Sequence, residues 1–278
     1  MNVGIVGLGL IGGSMAKSVK NRTLHTVFGI DTDAETMTFA RMSGAIDAPL
    51  TDESIGGCDI ILLAIRPNAA VNWVEENASA ISKKAIVIDL CGVKRAVCDR
   101  IAPIADEYGF SYIGGHPMAG KERSGFVNST DDLFVGAYMI LTPNECTDIS
   151  MLETIKHFFL DIGFAGLTFS TPSEHDRIIA FTSQLAHIAS SAYIKSPEAK
   201  QRRGYSAGSY RDMTRVARLD ENMWTELFMD NSDNLIEQLE LFIGNLNEYL
   251  IALKEGDESK IRALLREGRE KKAEAGGN

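Results

Sequence analysis

Residues 1–31 read MNVGIVGLGLIGGSMAKSVKNRTLHTVFGID, and this stretch decides the fold. Asn2 to Val6 is a short apolar run that ends in glycines, and from Ser14 to Lys20 the residues Met15, Ala16 and Val19 recur at helical spacing. Strand, turn and helix follow one another. At the junction Gly7, Gly9 and Gly12 fit the pattern GxGxxG, with Leu8, Leu10 and Ile11 between them. Gly7 allows a tight turn, Gly9 lets a pyrophosphate approach the backbone, and Gly12 lets the helix pack on the strand. The unpaired amides and the dipole at the helix start then face the phosphates. A second strand, Thr26 to Ile30, leads to Asp31, about 20 residues on, where a carboxylate accepts both ribose hydroxyls and repels a 2′-phosphate. Asp33 adds a second negative charge, and no arginine follows immediately. The expected cofactor is NAD rather than NADP, with FAD as a competing dinucleotide, held by Gly7, Leu8, Gly9, Leu10, Ile11, Gly12 and Asp31.

Working outward, the alternation continues. Asp33, Glu35 and Thr36 open a helix that runs to Met42. Asp59 to Ile65 is a nearly unbroken apolar strand of the kind buried on both faces of a parallel sheet. Pro67 starts a helix, Ala85 to Leu90 and Phe110 to Ile113 repeat the strand pattern, and Arg95 to Glu107 is the helical stretch between them. This rhythm predicts an α/β Rossmann domain, doubly wound and mostly parallel. Met151 to Leu160 is amphipathic, Ala165 to Phe169 is a last strand, and Thr171, Pro172 and Ser173 punctuate the chain. From Glu174 onward Ile178, Phe181, Leu185, Ile188 and Ala189 follow helical spacing, so the second domain is expected to be all helix. The expected division is residues 1–171 for the dinucleotide and 172–278 for substrate binding and dimerisation. Trp224 to Leu253 carries Leu227, Phe228, Leu235, Leu239, Phe242, Leu246 and Leu250, more apolar surface than a monomer would cover, which predicts a homodimer.

The totals narrow the partners. The 278 residues suit two domains, and a hydrophobic share of 45% with a charged share of 24% is that of a globular protein. A formal net charge of -10 opposes nucleic acid and anionic membrane surfaces, so an anionic metabolite needs a local basic cluster. Cys58, Cys91, Cys98 and Cys146 form no CxxC pair and read as reduced thiols. With no leader pattern and no apolar run of about 18 residues, the expected location is cytoplasmic.

Two further stretches bear on chemistry. Gly114-Gly115-His116-Pro117-Met118-Ala119-Gly120 places a histidine after a strand at the sheet's edge, where its ring is expected to project from a loop towards the cofactor crevice. Imidazole there can take a hydroxyl proton near neutral pH. Arg211-Asp212-Met213-Thr214-Arg215 puts two guanidinium groups four apart on one helix face, suited to carboxylates. Together with GLGLIGGS at Gly7 to Ser14, the Ser183-Gln184-Leu185-Ala186-His187 segment and Trp224, these stretches resemble the prephenate/arogenate dehydrogenase family over nearly the whole chain. Members oxidise and decarboxylate a cyclohexadienol, giving 4-hydroxyphenylpyruvate from prephenate or tyrosine from arogenate.

The resemblance implies the roles. His116 is the catalytic base, and the substrate is a small dicarboxylate. Arg215 is the candidate for its ring carboxylate, with Arg211 and Asp212 in support or reaching a dimer partner. His187, Ser183 and Gln184 are placed at the substrate side chain, Glu122 near the active site, and Trp224 near the substrate from its own or the partner subunit. His175-Asp176 matches a family pair, although a helix cap explains it equally well. Lys121 stands where some relatives have a small hydroxyl residue. The clearest departure is in Asp89-Leu90-Cys91-Gly92-Val93-Lys94, where many relatives have serine in place of Gly92. Cys91 is too weak a donor to replace it. Prephenate is the expected substrate and arogenate the alternative. A β-hydroxyacid dehydrogenase is a rival of similar architecture, but it would rely on a helical lysine that the Ser183 to His187 region lacks. A non-catalytic NAD sensor would need neither His116 nor the arginine pair.

Overall fold

The computed structural model describes residues 1–144 and 147–276. Cys146 lies outside the described residues, as do the last two positions of the expected second domain; Cys58, Cys91 and Cys98 are free and buried. The chain forms two compact units, Met1–Asn231 and Ser232–Asn278.

In the first unit the order is β1 (Asn2–Val6), α1 (Leu10–Arg22), β2 (Thr26–Ile30), α2 (Ala34–Met42), β3 (Ala48–Pro49), α3 (Asp52–Ile55), β4 (Ile60–Leu63) and α4 (Pro67–Asn77). There follow β5 (Ile86–Asp89), α5 (Arg95–Tyr108), β6 (Ser111–Pro117), β7 (Tyr138–Thr142), α6 (Ile149–Asp161) and β8 (Gly166–Phe169). After Phe169 every described element is helical: α7 (Pro172–Ile179), α8 (Ala186–Tyr193), α9 (Gly208–Thr214) and α10 (Glu221–Met229). A single wide π-turn, Ala180–Leu185, joins α7 to α8.

Eight strands form one sheet in the order β3-β2-β1-β4-β5-β6-β7-β8. All neighbours from β3 to β6 run parallel, so the carboxyl ends of β1, β2, β4, β5 and β6 share one edge. In such sheets ligands bind at that edge, where the strand order reverses, here between β1 and β4. Alternate residues of the central strands feed two cores. Ile60, Leu62, Ile86 and Ile88 pack on one face, and Ile61, Leu63 and Val87 on the other. Local signals act as their residue types dictate. The Asp33 carboxylate accepts from the amides of Glu35 and Thr36 at the start of α2, worth about 1 kcal/mol, and Pro67 opens α4.

Two strands have no sequence signal. β3 is too short to show a period, and β7 runs antiparallel to β6 after a long loop. That pairing changes the placing of His116. Because Gly115 pairs with Leu141, His116 with Ile140 and Pro117 with Met139, the partner strand carries β6 on to Pro117. His116 therefore lies in a strand inside the sheet, not in a loop beyond an edge strand.

The second unit holds α11 (Ser232–Glu255) and α12 (Glu258–Ala275). The apolar stretch from Trp224 to Leu253 falls on two helices, with an interruption between Met229 and Ser232. On α11, Leu235 is buried, whereas Ile236, Leu241, Ile243, Leu246, Leu250, Ile251 and Leu253 are exposed. No helix of the described residues is long and apolar enough to cross a membrane.

Candidate active site

The turn after β1 has the form a dinucleotide pyrophosphate requires. Gly7 adopts φ +85°, a left-handed conformation that a side chain would strain. A Cβ on Gly12 would overlap the Gly7 carbonyl oxygen, so helix and strand approach as closely as backbone allows. A Cβ on Gly9 would meet nothing within 4 Å, which leaves open space over that amide for a phosphate. Gly9 caps α1 without a side-chain bond, and the first-turn amides have no partner within the helix. Asp31 Oδ2 accepts from Leu8 N at 2.7 Å and Oδ1 from Asp33 N at 2.9 Å. These bonds aim the half-buried carboxylate, and each oxygen keeps a lone pair for a ribose hydroxyl. The residues present fit NAD.

Three side chains, one from β6 and two from α7, form one hydrogen-bonded chain. His116 Nδ1 lies 2.9 Å from His175 Nε2, and His175 Nδ1 lies 2.7 Å from Asp176 Oδ1. Asp176 also accepts from Lys94 N at 2.7 Å and from Arg95 N at 2.9 Å. Burial raises the Asp176 carboxyl, but the bonds from His175 and the two amides outweigh it and hold the group below its usual range. An ionised Asp176 makes His175 Nδ1 the donor. Nε2 of His175 is then an acceptor, His116 must donate from Nδ1, and His116 Nε2 keeps its lone pair. Burial, with the neighbouring His175 and the Lys94 ammonium, pushes His116 well below the ordinary histidine range. Burial lowers His175 also, despite Asp176. The chain thus ends in a neutral ring with a free basic nitrogen.

His175 and Asp176 are not caps. Thr171 Oγ1 caps α7 by accepting from Glu174 N at 3.1 Å, which frees both residues to turn inward. Asn231, unsignalled in the sequence, donates to Asp176 O and to Gln184 Oε1, each at 2.8 Å, and Gln184 Nε2 donates to Leu227 O at 2.9 Å. Gln184 is buried with both ends of its amide engaged by protein, so the structure places it behind the site rather than on its surface. Lys94 is also fully buried, paired with Asp89 and donating to Gly115 O at 2.6 Å.

The arginine segment lies on α9 and its end. Arg211 is exposed, and Arg215 pairs with Glu122 Oε1 at 2.8 Å, which brings two of the expected site residues together across 93 positions. His187 Nδ1 bonds the Ser183 carbonyl at 2.7 Å, and its ring packs at a tilt of 31° against Trp224 of the same chain, centroids 4.0 Å apart. Burial lowers His187, the Ser183 carbonyl opposes this and Arg215 adds to it, leaving a neutral ring with Nε2 as acceptor. Lys121 donates to Asn128 O and Thr130 Oγ1, bracing the loop after β6.

At Gly92 a Cβ would lie 3.3 Å from Leu227 Cδ2, so a leucine flanks the place where the family resemblance leads one to expect a serine. Leucine donates nothing. The Cys91 thiol contacts Ile65 O at 3.5 Å, and burial beside Asp89 pushes it well above the usual thiol range. Neither residue substitutes for the serine.

Comparison with known proteins identifies the family. The model of the prephenate dehydrogenase nucleotide-binding domain matches residues 15–165, and that of the prephenate dehydrogenase dimerization domain matches residues 171–267. A prephenate dehydrogenase of Bacillus subtilis is 27% identical over 92% of this chain and 71% of its own. A prephenate dehydrogenase of A. aeolicus, crystallised with hydroxyphenyl propionate and NAD+, is 29% identical with a TM-score of 0.84 over 99% of this chain and 98% of its own. Synechocystis arogenate dehydrogenase is 26% identical with a TM-score of 0.80 over 99% of this chain and 100% of its own.

Proposed function

As the chain belongs to the prephenate/arogenate dehydrogenase family, we propose that it carries out the NAD-dependent oxidative decarboxylation of prephenate to 4-hydroxyphenylpyruvate. The observation that carries this reading is the free Nε2 of His116 at the end of a chain anchored on Asp176. The Gly7 to Gly12 turn would hold NAD with its ribose at Asp31, and the bound nicotinamide would supply the acceptor for the hydride of the hydroxyl-bearing ring carbon. His116 Nε2 takes the hydroxyl proton as that hydride leaves, and His175 with Asp176 stabilises the imidazolium that forms. The electrons of the bond to the ring carboxylate enter the ring as carbon dioxide departs, and the ring becomes aromatic. Arg215 holds that carboxylate until it leaves, exchanging Glu122 for substrate, with Arg211 adding positive charge. Ser183, His187 and Trp224 form the wall for the side chain, and Gln184 holds that wall through Leu227 and Asn231. Residues 1–171 carry the cofactor and 172–278 the substrate contacts and the dimer. The exposed apolar residues of α11 and the matched dimerization model support a homodimer, working in the cytoplasm.

One observation favours arogenate as a second reading. An acceptor at His187 Nε2 suits an ammonium better than a keto oxygen. The test is NADH formation with prephenate, arogenate and a simple β-hydroxyacid, with NADP replacing NAD as control. Prephenate is expected to turn over fastest. Faster turnover of arogenate would exchange the two readings, and turnover of the β-hydroxyacid alone would overturn both.

A further inference from the structure

Lys94 touches both ends of the histidine chain. Its main-chain amide donates to Asp176 Oδ1 at 2.7 Å, and its Nζ donates at 2.6 Å to Gly115 O, the carbonyl of the peptide that carries His116. The ammonium is itself fixed by the buried pair with Asp89, whose Oδ2 accepts from Tyr112 of β6 at 2.7 Å and whose Oδ1 accepts from Cys91 N at 3.0 Å. Gly114, two residues before His116, lies against the same group. A Cβ there would overlap Thr142 Oγ1 and lie 2.7 Å from Cys98 Sγ and 3.2 Å from Lys94 Cδ, so β6 and the lysine stem pack closely at this point. Stability does not account for such a group, because a buried ion pair is often matched or bettered by apolar side chains of similar volume.

We propose that Lys94 is a positioning residue for His116, clamping the peptide before the histidine and the carboxylate at the far end of its chain into one frame. The inference rests on His116 being the base. An ammonium at this place also favours the neutral form of the rings. The groups that act on His116 are His175 of α7 and the Lys94 ammonium, while His175 in turn feels Asp176, Lys94 and Asp89, and Asp89 is bonded by Tyr112 of β6. Removing the Lys94 charge raises the His116 pKa, so the acidic limb of kcat/KM moves to higher pH.

The test compares Lys94→Met, the charge-balanced Asp89→Asn/Lys94→Met and His116→Asn. In the folded lysine variants kcat is expected to fall about 10²-fold, as for a base displaced by about 1 Å, with the acidic limb moved upward. KM for prephenate and NAD binding should hold within about threefold, a split that a general loss of folded protein would not give. A variant with native circular dichroism, native NAD binding, near-native kcat and an unmoved limb would overturn the proposal. So would failure of both lysine variants to fold, which would make Lys94 a folding determinant. Full turnover in His116→Asn would instead sink the assignment of the base, so the two failures are distinguishable.

Discussion

The cofactor turn and the histidine chain lie at the same edge of the sheet but are built from opposite materials. Between Gly7 and Gly12 what matters is the absence of side chains: a left-handed φ at Gly7, a backbone contact at Gly12 and open space at Gly9. The supporting bonds run from Asp31 to Leu8, 23 residues back within the same strand-helix-strand unit, and to Asp33. Between His116 and Asp176 what matters is buried side chains and their ionisation, brought together from Lys94, His116, His175 and Asn231. A site made of backbone fails when an atom is added. A site made of buried charge fails when one is removed, because the partner is left uncompensated in a poorly polarisable interior.

Substitutions can break this contrast, and the largest effect is expected in the histidine chain. Asp176→Asn takes the negative charge from His175 and weakens the tautomer argument down to His116 Nε2. Single-turnover kinetics should show the hydride step slowed about 10²-fold or more, with NAD binding unchanged. Gly12→Ala comes next. The overlap with the Gly7 carbonyl should cost about 1–3 kcal/mol and lower the melting temperature even without cofactor, together with NAD affinity. Gly9→Ala sharpens the comparison, because its Cβ meets no protein atom. Calorimetry should find stability within about 0.5 kcal/mol of the parent, and titration should find weaker NAD binding. A melting temperature as low as that of Gly12→Ala would show that this turn is not open.

Acid should separate the two regions without mutation. His116, His175 and His187 all have folded pKa values below the unfolded histidine value near 6.5. The unfolded chain therefore binds more protons below that pH, and stability, fully present above it, is lost as pH falls. Thermal melts from pH 7.5 downward should show the decline beginning near pH 6.5, while the acidic limb of kcat/KM lies lower, at the depressed pKa of His116. The smallest effect is expected at Gly92→Ser. Leu227 must give by a few tenths of an ångström, and kcat should change by less than about tenfold, upward if the hydroxyl reaches the substrate.

Much of the fold and part of the site were legible in the residues. The glycine turn, Asp31, the capping of α2 by Asp33 and the strands to β6, β3 excepted, were readable from spacing. His116, Arg215 and His187 stand in local motifs, which is why the sequence offers them as candidates. The relay partners were ambiguous, since a His-Asp pair near a helix start also reads as a cap until Thr171 is seen in that place. Lys94 and Asn231 were not singled out: Asp89 is close to Lys94 in sequence, but the links that tie Lys94 to the histidine chain reach Gly115 and Asp176, 21 and 82 residues away, and the partner of Asn231 at Gln184 is 47 away. Gln184 looked available for substrate and is engaged by Asn231 and Leu227 instead.

The sequence by itself determined the strand, turn and helix that shape the dinucleotide site, because backbone freedom and short spacings are properties of the chain as it is written. Only the tertiary structure decided how His116 is used. Its place inside the sheet depends on β7 pairing antiparallel with β6, and its free nitrogen depends on Asp176 reaching the amides of Lys94 and Arg95. Hydrogen-bond direction and ionisation depend on burial and on neighbours distant in sequence, and these exist only once the chain has closed.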